Sequence, residues 1–191
     1  MFKSLIPALA VAAALALPAA VPAQEPAPAF TLMNQEGRPV SLADYAGKVV
    51  VLEWTNYECP FVKHHAAAGT MKALAAKWGG QGIVWLAVNS TKHATRAGDA
   101  AWIAANALPY PILEDFDGRV GHAYGARTTP HLFVVGRDGK LAYHGAIDDD
   151  RRLDGKSTVN YVEQALAELT AGKPVSVPAT EPYGCSVKYR Q

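Results

Sequence analysis

The run Val49-Val50-Val51-Leu52-Glu53-Trp54, the turn Thr55-Asn56-Tyr57-Glu58 and the pair Cys59-Pro60 constrain this chain more than any other stretch. Unbroken β-branched and apolar residues predict a buried strand. Proline is favoured at the first position of a helix, so Pro60 predicts a helix start. A cysteine is thereby delivered to a helix N-terminus, where unpaired N–H groups and the positive end of the helix dipole favour the thiolate. Thiol redox chemistry is the function class this local arrangement points to first.

Further elements follow from the same periodicity arguments. Phe30 to Met33 and Arg38 to Leu42 flank the turn composition Asn34-Gln35-Glu36-Gly37 and predict an N-terminal hairpin, and Ala43 to Lys48 is a polar bridge into the buried strand. Pro60 to Trp78 predicts one long helix stopped by Gly79-Gly80, and Ile83 to Asn89 a second buried strand. Thr95 to Leu108 predicts a second helix, Tyr110 to Leu113 a short strand and Val120 to Tyr124 a helical turn. His131 to Val135 and Lys140 to His144 form a hairpin across Gly136-Arg137-Asp138-Gly139, and Ser157 to Thr170 is the last helix, with Ser157 as N-cap and Val159 on its apolar face. Strand, helix, strand, helix is the order of an α/β fold with parallel strands joined by crossovers. Residues 173–191 carry Pro174, Pro178 and Pro182 without periodicity and read as a flexible tail holding Cys185.

The first 23 residues read as a signal peptide rather than as part of the fold. Lys3 precedes an apolar stretch from Leu5 to Leu17, and Val21-Pro22-Ala23 is a small-residue cleavage site, so cleavage is expected after Ala23. Residues 24–29 are an extended linker, 30–172 one domain and 173–191 the tail. Removing 23 of 191 residues leaves 168, and the removed lysine leaves 17 basic against 17 acidic residues. That balance gives no reason to expect nucleic acid or an anionic membrane surface as partner. Export to the periplasm or beyond would place Cys59 and Cys185, the two cysteines, in a compartment where disulfides persist.

The element order, with a cysteine at a helix start and Thr129-Pro130 leading into the final hairpin, resembles the thioredoxin-like superfamily over roughly Phe30 to Thr170. Phe30 to Glu53 is similar to its redoxin branch, which holds the TlpA/ResA-type thiol-disulfide oxidoreductases and the peroxiredoxins. The resemblance implies a thioredoxin-like fold, a central mixed sheet with flanking helices and an N-terminal hairpin. It also implies that Pro130 is the cis-proline facing the cysteine, with the Thr129 backbone open to pairing with an extended substrate. The chain departs from the family in two respects: Cys59-Pro60-Phe61-Val62 stands where the disulfide-exchanging members have C-x-x-C, so Val62 replaces the resolving thiol, and Trp54 sits one residue further upstream of the cysteine than in the usual pattern, which implies a longer connecting loop.

Cys59 is therefore the candidate nucleophile, and Cys185 a candidate resolving thiol or half of a static bridge. Glu58 opposes a thiolate at Cys59, whereas Lys63, His64 and His65 would favour it. Glu53 is a carboxylate in an apolar strand, where burial raises the pKa toward neutrality and suits a general acid or base, and several oxidoreductases of the superfamily it resembles look similar there, with an acid at or near this position; the alternative is an edge-strand or paired Glu. The leading function is thiol-disulfide exchange with protein or small-molecule partners. A peroxidase is the alternative, although Asn56 stands where peroxiredoxins have Thr or Ser and Arg127 would have to replace the family arginine. Copper binding through Cys59, His64, His65, His131 or Cys185 is a third class, but adjacent His64 and His65 point apart on a helix. No cofactor or metal motif is present, and Asp148-Asp149-Asp150-Arg151-Arg152 reads as a solvated turn.

Overall fold

The buried run around Val51 becomes the middle of a mixed sheet in the computed structural model, which describes residues 25–190. In chain order come β1 (Thr31–Asn34), β2 (Pro39–Ser41), a 3-10 turn (Leu42–Tyr45), β3 (Val50–Trp54), α1 (Pro60–Ala68), α2 (Thr70–Gly79) and β4 (Val84–Asn89). These are followed by α3 (Arg96–Asn106), β5 (Ile112–Glu114), α4 (Arg119–Tyr124), β6 (Thr128–Thr129), β7 (His131–Val135), β8 (Leu141–Gly145), α5 (Tyr161–Thr170) and β9 (Cys185–Ser186). Seven strands lie in the order β2-β1-β5-β4-β3-β7-β8, with β3, β4 and β5 parallel and the other pairings antiparallel. The short strands β6 and β9 form a separate two-stranded sheet.

Alternation along β3 splits the core into two layers. Val51 faces Trp85, Ala87, Leu132 and Val134, and this face is covered by Met71, Leu74 and Trp78 of α2 and by Val162, Ala165 and Leu166 of α5. Val50, Leu52 and Trp54 face the other way, against Leu86, Val88, Phe133 and Tyr124 of α4. Trp54 packs edge-on to Phe133, with ring centroids 5.0 Å apart. Both faces are covered, which is why β3, most of β4 and β7 read as continuous apolar runs.

Two predicted boundaries and two predicted side-chain placements are corrected. The long helix from Pro60 is two helices, because Gly69 adopts φ 70° and its N–H closes α1 on the Ala66 and His65 carbonyls; glycine enters that conformation without the Cβ clash other residues suffer. The last helix starts at Tyr161, and Asn160, not Ser157, is its N-cap, accepting from the Glu163 N–H at 2.9 Å. Val159 precedes the helix and is exposed rather than on its apolar face. Asp148 and Asp150 do not form a solvated turn: both are buried, and Asp150 accepts from the Asp154 and Gly155 N–H groups.

Segment 1–23 and Gln24 lie outside the described residues. From the linker, the Glu25 carbonyl accepts from Leu141 N–H and Ala27 N–H donates to Gly139, both at 3.0 Å. The tail is likewise in place. Thr180 is bound to the backbone of His144 and Ala146, Val187 N–H donates to the Arg127 carbonyl, and Tyr189 stacks on His122 and donates to the Ala126 carbonyl. Residues 178–189 therefore cross the domain from β8, past β6, to α4.

Candidate active site around Cys59

Cys59 is the N-cap of α1, with Pro60 next in line and its carbonyl accepting from Lys63 N–H at 3.0 Å. The turn before it is held by Asn56, whose carbonyl accepts from Cys59 N–H and whose side chain accepts from Glu58 N–H. Glu58 turns outward to His93, 2.7 Å away. The Cys59 side chain is buried, 2% exposed, beneath Thr129 and the tail. Its sulfur lies 3.0 Å from the Thr129 carbonyl and 2.9 Å from the Cys185 sulfur, and both cysteines are free thiols. A separation of 126 residues has thus been reduced to sulfur contact.

The two thiols are electrostatically unequal. Burial pushes the Cys59 thiol up, but its hydrogen bond with Cys185 and the nearby polar groups of Thr129 and the Val62 backbone outweigh it and leave the pKa below the ordinary value. Cys185 goes the other way: burial, then its hydrogen bond to Cys59 and the charge there, push it up to about 11. When one of the two thiols gives up its proton, Cys59 is the favoured place for the charge and Cys185 for the remaining S–H, as expected when only one of them sits at a helix start.

The Thr129–Pro130 peptide bond is cis. Thr129 is buried, and β6 pairs antiparallel with β9, Thr129 against Cys185 and Thr128 against Ser186. The edge expected to be open to substrate is occupied by the chain's own tail. Gly184 is what permits this approach, since a Cβ there would lie 2.2 Å from the Thr129 carbonyl oxygen.

Glu53 touches neither sulfur. Its carboxylate accepts from Trp85 Nε1 at 3.0 Å and Tyr110 Oη at 3.1 Å, and burial, partly offset by these hydrogen bonds and one from Thr55, raises its pKa to about 7. A cavity of about 20 Å³ lies between Glu53, Val62, His65 and Tyr110, so the carboxyl faces the inner side of the helix that carries Cys59. The other sequence candidates are dispersed. Arg127 is exposed and pairs with Glu181, and His131 is buried with Nδ1 accepting from Arg127 N–H. Among the described residues no three His, Cys, Asp or Glu side chains converge as metal ligands.

One group at the site has no motif to announce it. Tyr183, two residues before Cys185, is buried; its hydroxyl donates to Asp148 and lies 3.1 Å from His65 Nε2. His65, expected from sequence to favour a thiolate against Glu58, sits inside the fold, 2% exposed. Its pKa is lowered, first by burial and against the attraction of Asp148. Only the proximity of an aromatic residue and a glycine to Cys185 hinted at this in sequence.

Known proteins resemble the chain throughout this region. The model of the AhpC/TSA family matches residues 23–144. The thiol-disulfide oxidoreductase ResA of Bacillus thuringiensis is 25% identical over 145 residues, covering 75% of this chain and 76% of the relative. An uncharacterized conserved protein from Geobacillus kaustophilus has a solved structure that superposes with a TM-score of 0.79 at 29% identity, covering 92% of this chain and 98% of the other. The exposed lipoprotein thioredoxin Etrx1 of Streptococcus pneumoniae gives a TM-score of 0.57 at 26% identity, covering 74% of this chain and all of the other.

Proposed function

We propose, for a chain that belongs to the AhpC/TSA family and so to the thioredoxin-like redoxins, that it is an exported thiol-disulfide oxidoreductase working through Cys59 and Cys185. The observation that carries the reading is the 2.9 Å contact between the two sulfurs. In the reducing direction, the Cys59 thiolate attacks one sulfur of a substrate disulfide, forming a mixed disulfide and expelling the other sulfur as a thiolate. Cys185 then passes its proton to the thiolate already expelled and attacks the Cys59 sulfur, forming the Cys59–Cys185 bridge and releasing the second substrate thiolate. The substrate gains two electrons and the cysteine pair loses them. Cys185 supplies what Val62 does not, a second thiol within reach.

The asymmetry of the pair suits these roles. A thiolate on Cys59 is the attacking form, and the low-pKa sulfur is also the better leaving group when an outside thiol reopens the bridge. Glu53, held near neutrality behind α1, is proposed to exchange a proton with the site, the task for which a carboxyl of pKa about 7 is suited. Thr129 and Pro130 are proposed to form the wall against which the reacting sulfur is held.

The test is peptide mapping of the oxidised protein together with single-turnover exchange. Wild type is expected to form the Cys59–Cys185 bridge reversibly, Cys59→Ser to lose exchange, and Cys185→Ser to stop at a mixed disulfide on Cys59. A bridge that a dithiol reduces only after unfolding would show a static staple and sink the enzyme reading. Export rests on residues 1–23, and sequencing the exported product should find Gln24 first.

A further inference from the structure

The residues around β9 describe more than a resolving thiol. The tail lies on β6 as an added strand, antiparallel, with Cys185 opposite Thr129 and its sulfur against Cys59. Strand addition at an exposed edge is a general mode of peptide recognition, with main-chain pairing for affinity and side-chain pockets for specificity. The two positions before Cys185 meet different surroundings. Gly184 faces the Thr129 carbonyl so closely that any Cβ would overlap it, at 2.2 Å from the oxygen and 2.8 Å from its carbon. Tyr183 fills a closed site: its ring centroid lies 6.0 Å from Phe61 and 6.1 Å from His65, and its hydroxyl reaches Asp148 and His65. Three segments distant in sequence, α1, the loop after β8 and the tail, converge on this one hydroxyl.

From this geometry we infer that the tail is a resident ligand in a peptide-reading groove, and that the groove selects extended polypeptide thiols or disulfides with a hydroxylated aromatic two residues before the reacting cysteine and glycine immediately before it. The inference rests on Cys59 as the attacking thiol and adds what the groove recognises. An outside peptide of this kind displaces the tail by strand exchange, and must do so against an intramolecular competitor whose effective concentration is on the order of millimolar for a short flexible connection.

The test uses the full chain with Cys185→Ser, which leaves Cys59 as the one thiol, with and without Gly184→Ala, whose added Cβ cannot enter the groove. The probe is the synthetic peptide Glu-Pro-Tyr-Gly-Cys-Ser-Val-Lys, activated as a thionitrobenzoate disulfide. Attack by Cys59 forms the Cys59–peptide disulfide and releases one thionitrobenzoate, whose absorbance gives the rate. In the double variant this peptide is expected to react at least about tenfold faster than versions with Ala for Tyr or Ala for Gly, a factor within reach of one well-made contact. With Cys185→Ser alone the ranking should persist at lower rates, so the outcome does not depend on how the Gly184→Ala tail settles. Three peptides within about twofold of each other, in either protein, would overturn the inference. A parallel reaction with the symmetric thionitrobenzoate disulfide separates the underlying reading: if Cys59 fails with that small probe too, the nucleophile assignment falls, whereas fast reaction without peptide ranking removes only the groove's selectivity.

Discussion

Replacing Glu53 by Gln should change how the stability of the protein depends on pH. The carboxyl is 4% exposed, in the middle of the sheet, with two neutral donors, Trp85 Nε1 and Tyr110 Oη, in place of water. Burial lifts its pKa from 4.5 to about 7. Because the folded value lies above the unfolded one, the folded state holds its proton more tightly, and its stability falls as pH rises through the window from about 4.5 to about 7, then levels off. At about 1.4 kcal/mol per pKa unit, the full fall is on the order of 3 kcal/mol. Gln carries no charge and lacks this component, although its amide brings a second donor that needs a partner, a cost independent of pH. Urea unfolding of both reduced proteins from pH 4 to 8.5 isolates Glu53, since every other group titrates alike in the two. The stability of Glu53→Gln relative to wild type should rise by about 3 kcal/mol across the range. A difference that stays flat within about 0.5 kcal/mol would mean that the carboxyl is not desolvated as its contacts indicate, and would remove the basis for assigning it a proton at neutral pH.

Removing the Cys185 thiol should raise the pH midpoint of Cys59 alkylation, because the thiolate loses a hydrogen-bond donor; iodoacetamide labelling across pH reads this directly, and an unchanged or lower midpoint would contradict the shared-proton arrangement. Tyr183→Phe leaves Asp148 and His65 without the hydroxyl that joins them and should destabilise the protein by about 1–3 kcal/mol in urea unfolding, with faster proteolysis of the tail. His65, whose pKa is depressed by burial, is protonated in the unfolded chain before the folded one, so stability should drop as pH falls below about 6.5, and His65→Gln should flatten that part of the curve. Gly69→Ala places a Cβ at φ 70° between α1 and α2 and should cost about 1–2 kcal/mol even though no neighbouring atom obstructs it, a loss that thermal unfolding would detect.

Local chemistry made much of this architecture readable in advance. The strand from Val50 to Trp54 declares itself because both faces are buried and no alternation is needed. The helix start at Cys59 declares itself because Pro60 fits the first helical position and no later one in the interior. Where reading failed, a local signal was weak or misdirected. Gly69 sits among helix-forming alanines, and the break there shows only in its backbone conformation. Ser157 resembles an N-cap, but its hydroxyl donates to Asp149, and Asn160 caps the helix instead. The aspartates at 148 and 150 have the composition of a surface turn, yet the tail and the loop's own N–H groups take them out of water.

By itself, the sequence determined the order of the main strands and helices, though not the break between α1 and α2 or the short strands β6 and β9, together with the placement of Cys59 at a helix N-terminus and the absence of a partner thiol at Val62. Each depends on spacing of a few residues, which fixes backbone conformation through sterics, capping and burial period. Only the tertiary structure decided that Cys185 meets Cys59, that Tyr183 closes a polar site with His65 and Asp148, and that the tail occupies the edge of Thr129. Those contacts join segments up to 126 residues apart. They form because buried polar groups must find partners and a sheet edge must be paired, wherever along the chain the complementary residues lie.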